Sequence, residues 1–192
     1  MTAVRMIRRD ARLGLDCTHV YRSDDLPTDR YMAVEGANGL IAAIADAHSL
    51  ESAHDKILRP LADGRLGSAE VAWSGPVALD GNLTQGLLAD IAASPLFSRA
   101  DLRVAPASPG KAERLLPLLA HPRATLYVNL EEAGLLCHEG FPDAPAAAQG
   151  LIDRGAKRVL VTDGARTAAD GAREGVLTAT PPEVLVTRIT GA

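Results

Sequence analysis

Along the middle of the chain, short apolar runs alternate with segments whose apolar residues recur every three or four positions. Short apolar runs between turn residues are typical of buried strands, and the longer spacing is typical of helices. Strands are predicted at Pro76 to Leu79, Leu102 to Ala105, Thr125 to Val128 and Val159 to Thr162. Helices are predicted at Thr84 to Ala93, Lys111 to Leu119, Glu131 to Leu136 and Ala144 to Asp153. Strands separated by such helices indicate right-handed βαβ units and a mostly parallel sheet.

The flanking segments follow other patterns. Val4, Ile7, Ala11 and Leu13 recur at helical spacing, and Gly14 closes this first predicted helix. The Asn38-Gly39 pair supplies the positive φ angles that a tight hairpin needs. The remaining predictions are a strand at Thr18 to Tyr21, hairpin strands at Tyr31 to Val34 and Leu40 to Ala45, a helix at His54 to Leu61, and β-like segments at Gly175 to Ala179 and Glu183 to Thr187.

Composition narrows the class of protein. A chain of 192 residues is long enough for one full-sized core, so we expect a single domain over 1–192. Aromatic residues make up only 3%, and this Ala, Leu and Val-rich chain favours helices stacked on a sheet. Interspersed charges that sum to −4 argue against nucleic acid and anionic membranes as partners. No apolar run reaches the length of a membrane span.

The two cysteines and five histidines carry no clear chemistry. Cys17 and Cys137 are far apart and form no CxxC pair, which suits a reducing compartment and predicts a cytoplasmic location. The histidines show no metal-ligand spacing, so structural roles are favoured for each of them. Cys137-His138 is too little to predict a thiol nucleophile.

Ligands of open α/β sheets bind beyond the carboxyl ends of the strands. The residues directly after each predicted strand are therefore the candidates for chemistry. They are Asp80 to Asn82, Pro106 to Ser108, Asn129 to Glu132, and Asp163 to Thr167.

Two of these segments follow the earlier strands. Asp80 to Thr84 has two interpretations. In one it is a turn, and Asn82 or an adjacent residue caps the helix. In the other, Asp80 or Asn82 faces substrate hydroxyls. The turn and cap are favoured by the local pattern alone. Lys111 follows the next strand at a helix start, where it either contacts phosphate or is an ordinary exposed lysine.

Two further segments follow the later strands. Asn129 to Ala133 is either an Asn cap with acids in the first helical turn, or a site where Glu132 holds a hydrated magnesium ion. The segment Val159 to Gly164 is either a strand that ends in a turn, or a loop on which Thr162 and Gly164 let a nucleotide approach the backbone. Thr187 to Ala192 is either a frayed terminus or the first half of a glycine-rich anion hole.

The order of these motifs resembles the ribokinase-like, or PfkB-type, carbohydrate kinases. The resemblance rests on Asp-Gly-Asn-Leu, Ser-x-x-Lys-Ala, Asn-x-x-Glu-Ala, Val-Thr-x-Gly-Ala and Thr-Gly-Ala, which stand at Asp80 to Leu83, Ser108 to Ala112, Asn129 to Ala133, Val161 to Ala165, and Thr190 to Ala192. Within the family, the segment from Pro27 to Asp46 is most similar to a β-lid of the pseudouridine kinase branch.

The resemblance implies a three-layer αβα core with a small β-lid at about 27–46, and ATP-dependent phosphorylation of a sugar or nucleoside hydroxyl with Mg2+. A homodimer through the lid is one arrangement that it suggests. The implied site residues fall into three groups. Those for ATP are Asn129, Glu132, Thr162, Gly164, Ala165, Arg166 and Lys111, with Glu132 also toward magnesium through water. Those for substrate are Asp80 and Asn82, and those that start the anion hole are Gly191 and Ala192.

Several residues depart from the family pattern. Thr-Gly-Ala continues in the family into Gly-Asp, whose Asp is the catalytic base, and the sequence ends at Ala192. Thr167 stands where the ATP loop usually has glycine, Ala105 replaces a frequent acid, and Arg188 replaces an acid of members that bind a monovalent cation. Met1 to Gly14 resembles a helix that lies downstream of the family's first strand and its Gly-Gly motif.

Two hypotheses follow. In the first, the chain is an incomplete PfkB-type kinase whose 192 residues alone do not transfer phosphate, because the base is absent. In the second, it is a degenerate, non-catalytic relative that binds a ligand or a partner. A third interpretation, an unrelated nucleotide-binding α/β domain, requires the motif order to be coincidence.

Overall fold

The computed structural model describes residues 12–36, 39–46 and 48–184. The chain divides into two compact units, one formed by Met1–Pro60 with Leu185–Ala192 and the other by Leu61–Val184. Within the described residues, no helix combines the length and apolar character needed to cross a membrane.

The first unit contains an antiparallel hairpin of β1 (Tyr31–Gly36) and β2 (Gly39–Ala45). The predicted hairpin is confirmed, although Ala37 and Asn38 at its turn lie outside the described residues. The pairing slips by one residue between Val34 and Glu35, which marks a β-bulge.

Of two other predictions for this part of the chain, the strand is wrong and the helix is present with an earlier start. Thr18 to Tyr21 forms no strand, because the Asp16 side chain accepts the Thr18 N–H at 2.8 Å and local turns replace extended backbone. The helix predicted at His54 begins earlier, since the Asp29 carboxylate accepts the N–H groups of Ser49 and Leu50. The helical region runs as α1 (His48–Ala53), a 3-10 helix (His54–Leu58) and α2 (Arg59–Ala62). Most of the first predicted helix, Val4 to Ala11, lies outside the described residues.

The second unit is a six-stranded sheet with crossover helices. Its strands are β3 (Pro76–Asp80), β4 (Asp101–Ala105), β5 (Ala124–Asn129), β6 (Arg158–Thr162), β7 (Ala168–Ala172) and β8 (Gly175–Ala179). Its helices are α3 (Gln85–Ala93), 3-10 helices at Pro95–Phe97 and Pro109–Leu118, α4 (Leu130–Cys137) and α5 (Ala144–Asp153).

The strands stand in the order of the sequence, from β3 at one edge to β8 at the other. The pairs from β3 to β6 are parallel, and β7 and β8 add as antiparallel strands. Four consecutive parallel strands with right-handed crossovers place their helices on the same face of the sheet. The predicted α/β class with a mostly parallel sheet is confirmed.

The core lies between the sheet and these helices. The strand side chains that point toward the helices are almost completely buried: Leu102, Val104, Leu126, Val159 and Val161 are each 0% exposed. They meet helix residues that are equally buried, among them Leu88, Ile91, Leu115, Leu136 and Leu151. Burial of each such side chain stabilises the fold by about 1.5–3 kcal/mol relative to exposure.

The opposite face of the sheet is polar at its centre. Arg103 donates to Asp101 at 2.6 Å and to the Tyr127 hydroxyl at 2.7 Å, and Arg158 donates to Asp170 at 2.7 Å. The Arg158 guanidinium lowers the pKa of the Asp170 carboxyl through this hydrogen bond. Parallel sheets usually carry apolar side chains on both faces, so these paired charges mark a face that meets water or polar groups.

The structure differs from the predictions where proline and small residues determine the local conformation. Lys111 to Leu119 is a 3-10 helix that begins at Pro109 and contains Pro117, which has no N–H for an α-helical bond. The strand β7 was not predicted because Ala168–Ala172 lacks β-branched residues. It needs small residues, since a Cβ on Gly171 would come within 3.1 Å of Ala148 in α5. Of the segment predicted as β-like from Glu183 to Thr187, Glu183 and Val184 are not strand, and the rest lies outside the described residues.

Candidate functional site

The carboxyl ends of the four parallel strands bring the polar segments to one edge of the sheet. The register places Asp80 beside Ala105 at the ends of β3 and β4, and Asn129 beside Thr162 at the ends of β5 and β6. The edge therefore has two parts, each built from the loops after two neighbouring strands.

A side-chain network organises the first part. Asp80 accepts the backbone N–H of Asn82 through Oδ1 and the side-chain amide of Asn82 through Oδ2, both at 2.9 Å. The Lys111 ammonium donates to Asn82 Oδ1 at 2.6 Å. Lys111 was expected at a nucleotide phosphate, and the structure places it with the two predicted substrate residues.

The backbones of the two loops in this part are in close contact. Gly81 is buried, donates its N–H to the Ala105 carbonyl at 3.0 Å, and would carry any Cβ into the carbonyl oxygen of Pro106. Arg114 donates to the carbonyl oxygens of Gly81 and Leu83 at 3.2 and 3.4 Å. Ala107 has φ of 68°, a left-handed conformation that costs a non-glycine residue about 1–3 kcal/mol. The contacts of Gly81 and Arg114 therefore hold the two loops in one conformation.

A capping box defines the second part. Asn129 is the N-cap of α4: its side chain accepts the Glu132 N–H at 2.8 Å, and Glu132 Oε2 accepts the Asn129 N–H at 2.9 Å. This reciprocal pair satisfies two backbone donors at the helix start. The Asn cap that the sequence allowed is therefore present, and any ligand contact would be an additional role for these residues.

Glu132 is unusual because it is a carboxylate only 7% exposed. Burial raises the pKa of Glu132 above that of an ordinary glutamate, the Asn129 N–H opposes this rise, and the neighbouring Glu131 adds to it. Within the described part of the chain, the Oε1 atom accepts no hydrogen bond. Carboxylate oxygen suits Mg2+, which keeps several waters and needs few protein ligands, so Glu132 is compatible with a role through water.

The loop after β6 is a tight turn. Arg166 donates its backbone N–H to the Asp163 carbonyl at 2.9 Å and its guanidinium to the Asp163 carboxylate at 2.8 Å. Gly164 has φ of 56°, and Thr162, Gly164 and Ala165 are exposed. The hydroxyl of Thr167 lies 3.0 Å from that of Thr180. The exposed backbone of this turn is accessible to a ligand, whereas the Arg166 head group is already paired.

A cavity of about 810 Å3 opens beside this second part of the edge. Its inner wall contains Asn129 and Thr162 to Gly164, and its outer walls contain the exposed face of α4 and the loop that follows it. The acids Glu131, Glu139 and Asp163 line it together with the apolar residues Leu135 and Phe141. The ring of Phe141 lies against α5, since a Cβ on Gly150 would come within 2.5 Å of its Cζ. Glu132 is not among the lining residues.

The predicted residues thus fall into two groups on the described part of the edge. Asp80, Asn82 and Lys111 form the first, and Asn129, Glu132, Thr162, Gly164, Ala165 and Arg166 form the second. Gly191 and Ala192, expected to start the anion hole, lie outside the described residues. In 12–36, 39–46 and 48–184, no group of three or more His, Cys, Asp or Glu side chains is arranged to hold a metal ion.

Three features of the site had not been predicted. Arg114 had a weak signal, because it follows Lys111 by three residues and so shares a face of a 3-10 helix. Thr84, rather than Asn82, caps α3 by accepting the Leu87 N–H. The cavity wall at Leu135, His138 and Phe141 had no signal, because these residues are ordinary helix and loop positions until the fold brings them together.

Comparisons with solved structures identify the fold. A carbohydrate kinase from Agrobacterium tumefaciens matches with TM-score 0.63 at 23% identity, over 83% of this chain and 49% of that chain. A PfkB protein from Polaromonas sp. matches with TM-score 0.63 at 17% identity, over 94% and 63%. The apo adenosine kinase of Trypanosoma brucei brucei matches with TM-score 0.62 at 12% identity, over 88% and 54%.

The chain has the ribokinase-like fold. The solved neighbours are carbohydrate, PfkB-type and nucleoside kinases, and the chain spans between about half and two thirds of their length. No family model matches the sequence, and no curated protein matches it significantly. At these identities the likeness establishes the fold, and the activity has to be argued from the site.

Proposed function

We propose that this chain forms part of an ATP-dependent kinase that phosphorylates a hydroxyl of a sugar or nucleoside, most like the pseudouridine kinases. The observation that supports this best is the register of β5 with β6, which places the capped start of α4 beside the Asp163 to Arg166 turn at the rim of a cavity. A carbohydrate kinase and an adenosine kinase share this fold, which supports phosphorylation of a hydroxyl as the reaction.

The nucleotide occupies the second part of the edge in this proposal. Its phosphates lie against Asn129, Thr162 and Gly164, where the exposed backbone and the N-terminus of α4 favour negative charge. Ala165 and Arg166 belong to the same loop. The cavity beside them takes the rest of the nucleotide.

The charge of this cavity favours a magnesium complex over the free nucleotide. Glu131, Glu139 and Asp163 line it, so free ATP would be repelled, whereas its magnesium complex carries two fewer negative charges and is repelled less. Glu132 would hold the hydrated ion through water. When bound, the ion neutralises charge on the phosphoryl group, and this chain's residues position the nucleotide.

The hydroxyl substrate occupies the first part of the edge. Asp80 presents carboxylate oxygens and Asn82 an amide, and sugar hydroxyls both donate and accept hydrogen bonds. The two loops are rigidly joined through Gly81 and Arg114, so the polar groups are held in place before a ligand arrives. Gly191 and Ala192 are proposed to begin the anion hole.

Calorimetric titration tests the nucleotide side of this proposal. MgATP should bind to the 192-residue protein, and the same titration in EDTA should show binding at least tenfold weaker, because the acids of the cavity repel the free anion. ADP with magnesium should bind similarly. Equal affinity with and without magnesium, or no binding of MgATP, would overturn the nucleotide assignment.

A second function, a non-catalytic ligand-binding module, is supported by the capping box. Asn129 and Glu132 have a structural role in α4 that needs no nucleotide. A kinase must hold both ligands at once, so protein saturated with Mg-AMP-PNP should still bind pseudouridine or D-ribose. Binding of a single ligand, with the other excluded or ignored, would favour the module.

The hairpin of β1 and β2 is proposed to mediate a homodimer. Met32 and Ile44 pair across the hairpin and are 58% and 61% exposed, and a two-stranded hairpin is marginal by itself in water. A second copy that pairs the same patch would bury these side chains. Sedimentation velocity should show a dimer that Ile44→Lys dissociates, and a wild-type monomer would refute it.

The cytoplasm, which keeps thiols such as Cys137 reduced, is the proposed location.

A further inference from the structure

The amide of Asn82 is held at both ends by charged groups. Lys111 Nζ donates to its oxygen at 2.6 Å, and its nitrogen donates to Asp80 Oδ2 at 2.9 Å. The backbone N–H of Asn82 donates to the other oxygen of the same carboxylate. All three side chains are half-buried.

The chemistry of the two charged groups dictates which way the amide points. An ammonium group can only donate hydrogen bonds, so the amide atom that faces Lys111 must be the oxygen. An ionised carboxylate can only accept, so the atom that faces Asp80 must be the nitrogen. If the amide turned by 180°, it would set its N–H groups against the ammonium and its oxygen against the carboxylate, and both hydrogen bonds would be lost.

We propose that Lys111 is a positioning residue, whose ammonium locks the Asn82 amide so that Asn82 presents an N–H donor beside the Asp80 acceptor toward a hydroxyl ligand. Lys111 donates to the oxygen of Asn82, and the second amide hydrogen remains for the ligand. A donor next to an acceptor suits a hydroxyl or a pair of adjacent hydroxyls. The identity of the ligand rests on the proposed function, whereas the lock itself does not.

The surrounding backbone contacts hold Lys111 and the Asn82 loop together, which supports a specific contact between the two side chains. Lys111 starts the 3-10 helix by donating its N–H to Ser108 at 3.0 Å, and a Cβ on Gly81 would come within 3.2 Å of the Lys111 Cβ. Arg114, one turn later, donates to Gly81 and Leu83. The helix therefore holds the Asp80 to Leu83 loop by two cations, and Lys111 reaches the Asn82 side chain.

The first experiment observes the lock without any ligand. The chain has three asparagines and two glutamines, so a 15N-labelled sample gives five side-chain amide pairs, and Asn82→Ala assigns the pair of Asn82. In the wild type this pair should be shifted from the random-coil position and protected from exchange. In Lys111→Met it should move to the random-coil position, and in Lys111→Arg, which keeps a donor-only group, it should stay shifted. An Asn82 pair that does not respond to Lys111→Met would overturn the proposal.

The second experiment measures binding of pseudouridine, of D-ribose and of Mg-AMP-PNP by calorimetry. Lys111→Met should weaken the hydroxyl ligand about tenfold, the effect of losing one charge-assisted hydrogen bond. It should leave the nucleotide affinity within twofold. Lys157→Met removes an exposed lysine elsewhere and should change neither affinity.

A double-mutant cycle separates positioning from direct contact. If Lys111 acts through Asn82, then Lys111→Met should have no further effect on hydroxyl-ligand binding in the Asn82→Ala background. Additive losses, or a selective loss of nucleotide affinity, would show that Lys111 contacts a ligand directly and would overturn the proposal. If the wild type binds neither pseudouridine nor D-ribose, the substrate side of the proposed function fails, and the amide spectra still decide the lock.

Discussion

Replacement of Gly81 by alanine should destabilise the protein by about 2–3 kcal/mol, the cost of forcing extra atoms into a packed interior. The added Cβ would overlap the carbonyl oxygen of Pro106 and come within 2.8 Å of its carbonyl carbon. Both atoms are backbone, so no side chain can turn away and the two loops must separate. Their separation would also break the hydrogen bond from Gly81 to Ala105.

Urea denaturation of Gly81→Ala checks this, with Gly86→Ala as the matched control. A Cβ at Gly86 in α3 meets nothing within 4 Å, and a helical glycine replaced by alanine gains up to about 1 kcal/mol. The two substitutions add the same methyl group at positions five residues apart, and should move the unfolding free energy in opposite directions. Equal stability of Gly81→Ala and the wild type would show that the loops are not in this contact.

Replacement of Glu132 by alanine should cost about 1–3 kcal/mol, whereas glutamine should change the unfolding free energy by no more than about 0.5 kcal/mol. Alanine leaves the Asn129 N–H without its partner, and glutamine still accepts that hydrogen bond. Both variants remove the carboxylate, so both should weaken the binding of the magnesium nucleotide if Glu132 holds the hydrated ion through water.

The pH dependence of Glu132→Gln separates the charge from the hydrogen bond. Burial raises the pKa of Glu132 in the folded protein above its unfolded value. The neutral acid therefore stabilises the fold fully below the ordinary glutamate pKa, and this contribution is lost as pH rises through the raised pKa. The unfolding free energy of the wild type minus that of Glu132→Gln should fall over this window.

Glu131→Gln is the control for the stability of both Glu132 variants. Glu131 is exposed and stands one residue earlier, so its substitution removes one charge from the same turn without touching the capping box. It should leave stability nearly unchanged. A flat stability difference between wild type and Glu132→Gln across the acid range, or an equal effect of Glu131→Gln, would contradict the assigned burial of Glu132.

The parallel part of the fold could be predicted because its signals are local. Each strand from β3 to β6 is an apolar run next to a turn, and α5 was predicted with its observed bounds, Ala144–Asp153, closed by Gly155 at φ of 104°. The failures depend on contacts distant in sequence. Nothing in Ala168–Ala172 indicates a strand until α5 packs on Gly171, and the start of α1 depends on Asp29, some twenty residues earlier.

The site was predictable as a set of segments but not as a set of contacts. Topology alone brings the strand ends to one edge, so the sequence was enough to select Asp80, Asn129 and Thr162. The partner of Lys111 could not be predicted, because Asn82 lies 29 residues away and the contact depends on how β3 and β4 pair. The buried carboxylate of Glu132 depends likewise on the packing around α4.

The central claim is that one edge of the sheet binds a magnesium nucleotide beyond β5 and β6 and a hydroxyl ligand beyond β3 and β4. The most direct test is an amide NMR titration of the 192-residue protein, first with Mg-AMP-PNP and then with pseudouridine. We predict that the nucleotide shifts the amides of Asn129 to Glu132 and of Thr162 to Thr167, and that pseudouridine then shifts those of Asp80 to Leu83. Shifts that are absent from both groups, or that fall elsewhere in Leu61–Val184, would contradict the account.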